Sequence, residues 1–417
     1  MLKMKTKIFF PFVFLASLVS QAQINSSKHK ITHADRAVGP QLFQYNKDAG
    51  FRYKKGDFTW TTWAFAERLF SRDRAPAWRR VRQGMEIKFP AYNFRINGNK
   101  FRTVLMYEVD FTDNNFFKDS KSFKIWENLF VSFQNAEDAA KFKILFGENT
   151  SIFSKEDNLS SGNLPTINRS LILEQHGSTN SFGTQWGFQL QKQITAKTFL
   201  QVSLQDNRGS INQDNPMFQF WKSTALKVTQ TLLKPTDSSS HKLNIGLATD
   251  YTRDIPDKQF TLASGIHQKS LGSTPASGNK LSFENNADYT NKFNNHFYTL
   301  EYEFIFSKYS VQKLNVAGGY AQFQYQLFDG KKSGDLVPFI RYDVIKLSNA
   351  LHENANEMAY RIGLNYNLPL TNKLVNFHAE YAHHELQGDP SILSFTQHSF
   401  NEFRLELRIN ATRYLRF

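Results

Sequence analysis

Bond-making chemistry has little to work with in this chain. There is no cysteine among the 417 residues, which removes thiolate nucleophiles and disulfide scaffolds. No HExxH, GxSxG, P-loop or GxGxxG pattern occurs. His383 and His384 adjoin in a strand-like run, so they point to opposite faces and cannot share a metal; they read as rim or lumen residues. No enzyme, cofactor or metal is expected. What remains is fixed charge, recurring at every second position: Arg80, Arg82 and Lys88, then Arg102, Lys141 and Lys143, Lys227, Arg341, Arg361, and finally Arg404, Arg408 and Arg416. A polar tract between Gly147 and Leu173 adds Lys155 and Arg169 against Glu148, Glu156 and Asp157. Cations lining a wet path lower the cost of admitting anions and raise their local concentration.

That reading needs elements that hold such residues on one face. From Phe403 to Phe417 the odd positions are Phe, Leu, Leu, Ile, Ala, Arg, Leu and Phe, while the even positions Arg404, Glu406, Arg408, Asn410, Thr412, Tyr414 and Arg416 carry no aliphatic residue. A period of two places these sets on opposite sides of a strand. The same alternation recurs at Trp186-Phe188-Leu190 against Gln185, Gln189, Gln191 and Gln193; at Leu243-Ile245-Leu247; at Phe323-Tyr325-Leu327 against Gln322, Gln324 and Gln326; and at Tyr360-Ile362-Leu364-Tyr366 against Arg361, Gly363, Asn365 and Asn367. A second face rich in glutamine and arginine does not build a sandwich core; it lines a watery lumen. Serines on the runs, such as Ser203 and Ser223, fall on this polar face, which argues against a lipid-side hydrolase.

The two ends and the composition agree. Lys3, Lys5 and Lys7, the apolar run Ile8–Val19 and the small residues Ser20-Gln21-Ala22 predict a cleaved secretory signal over residues 1–22, too short to span a bilayer. A mean hydropathy of −0.50 excludes a helical membrane protein. Forty phenylalanines in a chain only 40% hydrophobic fit a barrel with aromatic girdles better than a soluble core. The terminal Phe417 resembles the signal by which bacterial barrels are recognised by the outer-membrane assembly machinery.

Short turns (Asn97-Gly98-Asn99, Lys234–Asp237, Asp329-Gly330, Leu370-Thr371-Asn372) contrast with longer polar stretches at Asn207–Asn215, Ser264–Asn279 and Gln387–Phe395. The expected fold is all-β: a transmembrane antiparallel β-barrel over residues 57–417, of 16 strands, with 18 as the alternative and Leu281–Tyr289 as the doubtful run. Residues 23–56 read as a periplasmic or plug-like lead-in, and about 148–173 as a long loop folded into the lumen. At this strand number the lumen should be an aqueous channel, not a packed interior. Against the cations above, the polar faces carry Glu86, Glu108, Asp110, Glu301, Glu303, Asp343, Glu380 and Glu406, which leaves a surplus of about four cations.

Phe146-Gly147-Glu148, the polar run, Leu164-Pro165 and Arg169-Ser170-Leu171 together resemble the constriction-loop signature of the phosphate-selective porin O and P family. Arg79-Arg80-Val81-Arg82-Gln83-Gly84, Gly319-Tyr320 with Tyr325, Pro338-Phe339-Ile340-Arg341-Tyr342-Asp343 and Arg404–Phe417 follow in the family's order, covering the chain from about Gly50. The resemblance implies a homotrimeric, sixteen-stranded channel. Arg169 would lie at the constriction, with Arg80, Arg82 and Arg341 on the wall leading anions toward it. The family's best-known members carry more basic residues in this loop than the two found here. The expected function is therefore a passive outer-membrane porin for small anions, phosphate or polyphosphate among them. The alternatives are a structural or adhesive barrel with an occluded lumen and partner-binding loops, and a soluble secreted binding protein. Neither nucleic acid nor any cofactor is expected.

Overall fold

The computed structural model describes residues 44–46, 50–71, 74–110, 126–159, 164–167, 169–173, 184–206, 222–235, 240–262, 272–293, 296–327, 335–351, 353–368, 375–389, 392 and 397–410. The expected signal segment, Arg416 and Phe417 lie outside these. A short hairpin, β1 (Gln44–Asn46) and β2 (Gly50–Lys55), precedes β3 (Phe58–Ser71) and β4 (Arg74–Lys88). A two-residue β5 (Arg95–Ile96) leads into β6 (Asn99–Asp110), β7 (Trp126–Asn135), β8 (Phe142–Thr150), β9 (Thr184–Gln193), β10 (Thr198–Gln205) and β11 (Ser223–Leu233). Then come β12 (Lys242–Leu262), β13 (Gly272–Phe293), β14 (His296–Tyr309), β15 (Asn315–Gln326), β16 (Asp335–Ser348), β17 (Asn354–Asn367), β18 (Val375–Gly388) and β19 (Gln397–Asn410).

β3, β4 and β6 to β19 pair antiparallel in sequence order and close into a 16-strand barrel. The closing ladder runs from Arg404↔Ser71 to Asn410↔Phe65, while β2 pairs with the rest of the same β3 edge, from Phe51↔Thr62 to Lys55↔Phe58. The doubtful Leu281–Tyr289 run is a true strand, the middle of the 22-residue β13. Two expected loops are shorter than read. Residues 272–279 belong to β13, paired through Ala276↔Lys258 and Thr274↔Phe260, and β18 continues to Gly388. Both corrections have one cause: strands that outgrow the bilayer lose their apolar outer face but keep their ladder, so alternation stops before pairing does.

Alternation decides the faces. On β19, Phe403 and Leu405 are exposed at 53% and 43%, whereas Arg404, Glu406 and Arg408 are each 1% exposed. A period of two thus turns the apolar set to lipid and the charged set inward. Close strand packing adds its own requirement. A Cβ on Gly319 of β15 would fall 2.0 Å from the Glu303 carbonyl oxygen and 2.8 Å from the Phe304 Cα of β14. Backbone cannot yield there, so Gly319→Val is expected to cost about 1–3 kcal/mol or more by overpacking. The check is the fraction of refolded protein running as the fast, heat-modifiable band; an unchanged fraction and midpoint would refute it.

Candidate pore and its inserted loop

Between Thr150 and Thr184, the described residues 151–159, 164–167 and 169–173 lie in the lumen against the inner faces of β11 to β19. Ile152, Phe153, Leu171 and Ile172 are 0–1% exposed. They form one apolar cluster with wall residues that the strand parity turns inward: Ala225, Ala248, Ala276, Ala355 and Ala359 leave room, while Ile305, Val316, Ile345 and Leu347 fill it. The loop thus lies in the lumen as expected, but the part of the lumen beside it is packed where an aqueous channel was expected. Sixteen strands do enclose too much space for wall side chains to fill, but here the inserted loop fills part of it. Each such apolar side chain contributes on the order of 1.5–3 kcal/mol by leaving water.

Polar contacts fasten the loop at both sides. On β13 and β14, Glu303 accepts from the Ser154 hydroxyl at 2.7 Å, from Lys155 N at 2.9 Å and from Glu156 N at 3.0 Å, and Glu284 accepts from Lys155 N at 3.0 Å. Lys227 of β11 donates to Phe153 O at 3.2 Å and pairs with Glu284 at 3.1 Å. At the far side, Glu156 pairs with Arg341 at 2.6 Å, Ile167 N donates to Glu380 at 2.9 Å, and Asn365 donates to Pro165 O at 2.8 Å. Arg408 donates to the carbonyls of Leu164 and Thr166 at 2.6 and 2.9 Å. Arg169 stays within the loop, donating to Leu159 O at 3.0 Å and lying 3.5 Å from Asp157. Lys155 lies 3.6 and 3.7 Å from Asp288 and Glu301.

The cations expected along the path separate into two groups. Arg341, Arg361, Arg404 and Arg408 are 1–3% exposed and neutralised. Asp343 bridges Arg341 and Arg361, each at 3.0 Å; Glu380 lies 3.6 Å from both Arg361 and Arg404; Glu402 pairs with Arg404 and Glu406 with Arg408. Arg341 also lies 3.8 Å over the Tyr320 ring. Arg341 and Arg408 therefore tie the loop to the wall, Arg361 and Arg404 tie wall strands to one another, and all four are closed off from solvent. A face-parity reading cannot see this, because it shows which way a side chain points and not what covers it.

The second group stays partly open. Arg80 lies 3.6 Å from Glu67, Arg82 lies 3.3 Å from Glu108 and 3.1 Å from Asp110, and Lys88 lies 3.0 Å from Glu86. Arg102 is half-buried, and Lys143 sits 5.0 Å over the Phe130 ring. Lys141 is not on the wall: it ends the turn before β8, donating its N–H to Asp138 O. Several inward acids escaped the sequence reading, namely Glu67, Asp250, Glu284, Asp288, Glu357 and Glu402, against one further cation, Lys280. They cancel the expected cationic surplus. The missing signal was ladder register, since Glu67 declares itself only opposite Arg80. His384 is fully buried between Glu357 at 3.0 Å and Glu402 at 3.5 Å, while His383 faces out beside Asn401. Ser203 and Ser223 lie on the inner wall as expected, 1% and 3% exposed.

Among solved structures, the chain is similar to OmpT, an outer membrane protein of Vibrio cholerae, with TM-score 0.53 and 9% identity over 86% of this chain and 98% of that one. It is also similar to the outer membrane channel DcaP of Acinetobacter baumannii, with TM-score 0.51 and 12% identity over 86% and 98%. The fold is that of a porin-like outer-membrane barrel. No family model and no curated protein sequence matches the chain.

The loop's own carboxylate gives its docking a pH dependence. Burial alone would push the Glu156 carboxyl up, but the Arg341 charge, with hydrogen bonds from Arg341 and Ser170, holds it below the ordinary 4.5. A group whose pKa falls on docking favours the docked state above its free pKa and loses that contribution as pH drops through the docked one. Loop docking should thus be indifferent to this group from neutral pH to about 5 and weaken below about 4.5. Protease nicking within 154–169 as a function of pH checks this; uniform resistance down to pH 3 would refute it.

Proposed function

We propose that the protein is a passive channel of the outer membrane, narrowed by its inserted loop and weakly preferring small anions, phosphate-like solutes included. One observation supports the preference most. In the wall pairs of β3, β4 and β6, the acids Glu67, Glu108 and Asp110 keep only 0–6% side-chain exposure, while Arg80 and Arg82 keep 17% and 15%. The charge that solvent meets on that wall is thus cationic even where the pair is neutral. Lys155 and Arg169 add partly exposed cations at the loop, 17% and 22%, beside Asp288, Glu301 and Asp157. That near-balance is why the preference is weak.

The test is single-channel recording in a planar bilayer under a KCl gradient, followed by added phosphate. An anion-selective reversal potential supports the reading, and block by low phosphate extends it to phosphate. A cation-selective potential refutes the preference. A second reading, a barrel with an occluded lumen and a structural or adhesive role, is favoured by the packed apolar cluster beneath the loop. It predicts folded protein with no conductance.

A further inference from the structure

The connection from β4 to β6 was expected to be a short turn at Asn97-Gly98-Asn99, yet it is an excursion. Phe89 N donates to Thr103 O at 3.0 Å, Tyr92 N donates to Phe101 O at 2.8 Å, and Arg95 pairs with Lys100. Residues 89–95 therefore run against only 100–103, and the surplus must bulge from the ladder. Asn97 and Gly98, with φ of 49° and 76°, close the tip as a tight hairpin turn.

The bulge goes outward, onto the face turned to lipid. The Tyr92 hydroxyl meets the Thr103 hydroxyl at 2.5 Å, and its ring lies 6.0 Å from Phe133 of β7. Thr103 and Phe133 alternate with the inward Arg102, Val104, Ser132 and Gln134, and Val131 on the same side as Phe133 is 43% exposed. Phe94 stacks on Tyr92 at 5.3 Å. Tyr92, Phe94 and Ile96 then form one row, 40%, 50% and 49% exposed, that extends the apolar outer wall past its rim. The stretch 89–100 contains two cations, Arg95 and Lys100, and no acid; Glu137 and Asp138 stand on the next turn.

We propose that residues 89–100 form a wedge seated in the membrane, with Tyr92, Phe94 and Ile96 at the acyl–headgroup boundary of the leaflet on the short-turn side. Continuity with the lipid-facing wall picks phospholipid as the occupant: the row is the same surface, one strand-end further along. Aromatic rings with a polar or cationic neighbour suit that boundary, where one end is apolar and the other wet. The inference rests on the barrel spanning a membrane.

Because the chain has no cysteine, one introduced thiol labels one site. The measurement is nitroxide accessibility by electron paramagnetic resonance in phospholipid vesicles, comparing collisions with oxygen and with a water-soluble nickel chelate. Phe94→Cys is compared with Leu247→Cys on the outer wall and Leu351→Cys in a turn at the opposite end, native exposures 63% and 76%. Phe94→Cys is expected to favour oxygen severalfold over Leu351→Cys. If it matches Leu351→Cys while Leu247→Cys reads as lipid, the wedge is overturned and the row is free for a soluble partner. If Leu247→Cys also reads as water, the membrane reading itself fails. Ile96→Cys repeats the measurement should Phe94→Cys not fold.

Discussion

Excising residues 152–172 is expected to raise single-channel conductance severalfold while leaving the barrel intact. The ladder makes the deletion feasible: β8 and β9 remain paired up to Thr150↔Thr184, and Ser151 with residues 173–183 is left as chain to join them. The apolar cluster makes the effect large. Removing Ile152, Phe153, Leu171 and Ile172 takes from the lumen the residues that fill the space beside Ala225, Ala248, Ala276 and Ala359. It also uncovers Arg341 and Arg408 together with Glu284, Glu303 and Glu380, so the reversal potential of the variant reads which set then faces the ions. A folded variant with the wild-type conductance would mean that ions do not pass beside this loop. A variant whose conductance rises but whose reversal potential moves toward cations would show that the uncovered acids dominate the uncovered arginines.

The second large effect is expected at Arg341. This side chain contacts Glu156 of the loop and Asp343 of its own strand, with Gln322 within 3.3 Å, and all three partners are buried. Arg341→Ala leaves the buried Glu156 carboxylate without its cation, while Asp343 keeps Arg361 at 3.0 Å, and breaking a buried pair in this way costs about 3–5 kcal/mol. Glu156→Gln keeps the hydrogen-bonding shape and removes one charge, so its cost should be smaller. In a double-mutant cycle the coupling between Glu156 and Arg341 should be of the order of 1–3 kcal/mol. Denaturant unfolding in detergent supplies the stabilities, and loop nicking by protease reports undocking separately. Arg341→Ala with wild-type stability and an intact loop would show that this pair contributes nothing to docking.

The fold was legible because its rule is short. A lipid outside and a polar inside impose one alternation on every strand, and β9, β17 and β19 carry it so cleanly that face, strand and barrel follow together. The inserted loop was legible by elimination: the tract from Asn149 to Leu164 is too polar for lipid and too long for a hairpin. Its packing was not. Ile345 and Leu347 occupy the inward parity of β16, and Ile305 that of β14, where a water-filled lumen would have polar residues. They were the available sign that something apolar covers that wall. Ion pairing was equally hidden, since Glu67 meets Arg80 only through the β3–β4 register and Arg408 only through the closing one.

That closing register has a consequence for how the barrel is completed. Glu67 on β3 lies 3.6 Å from Arg80 of β4 and 3.7 Å from Arg408 of β19, so the first and last strands of the cylinder meet around one acid. Sliding β19 by a single residue would turn Glu402, Arg404, Glu406 and Arg408 toward hydrocarbon and the four apolar residues Phe403, Leu405, Leu407 and Ile409 toward water. An arginine on the lipid face costs about 2–4 kcal/mol at mid-membrane. The last joint of the cylinder therefore carries its own proofreading: a misaligned closure is rejected by the solvent on both sides of the wall before any specific contact is tested.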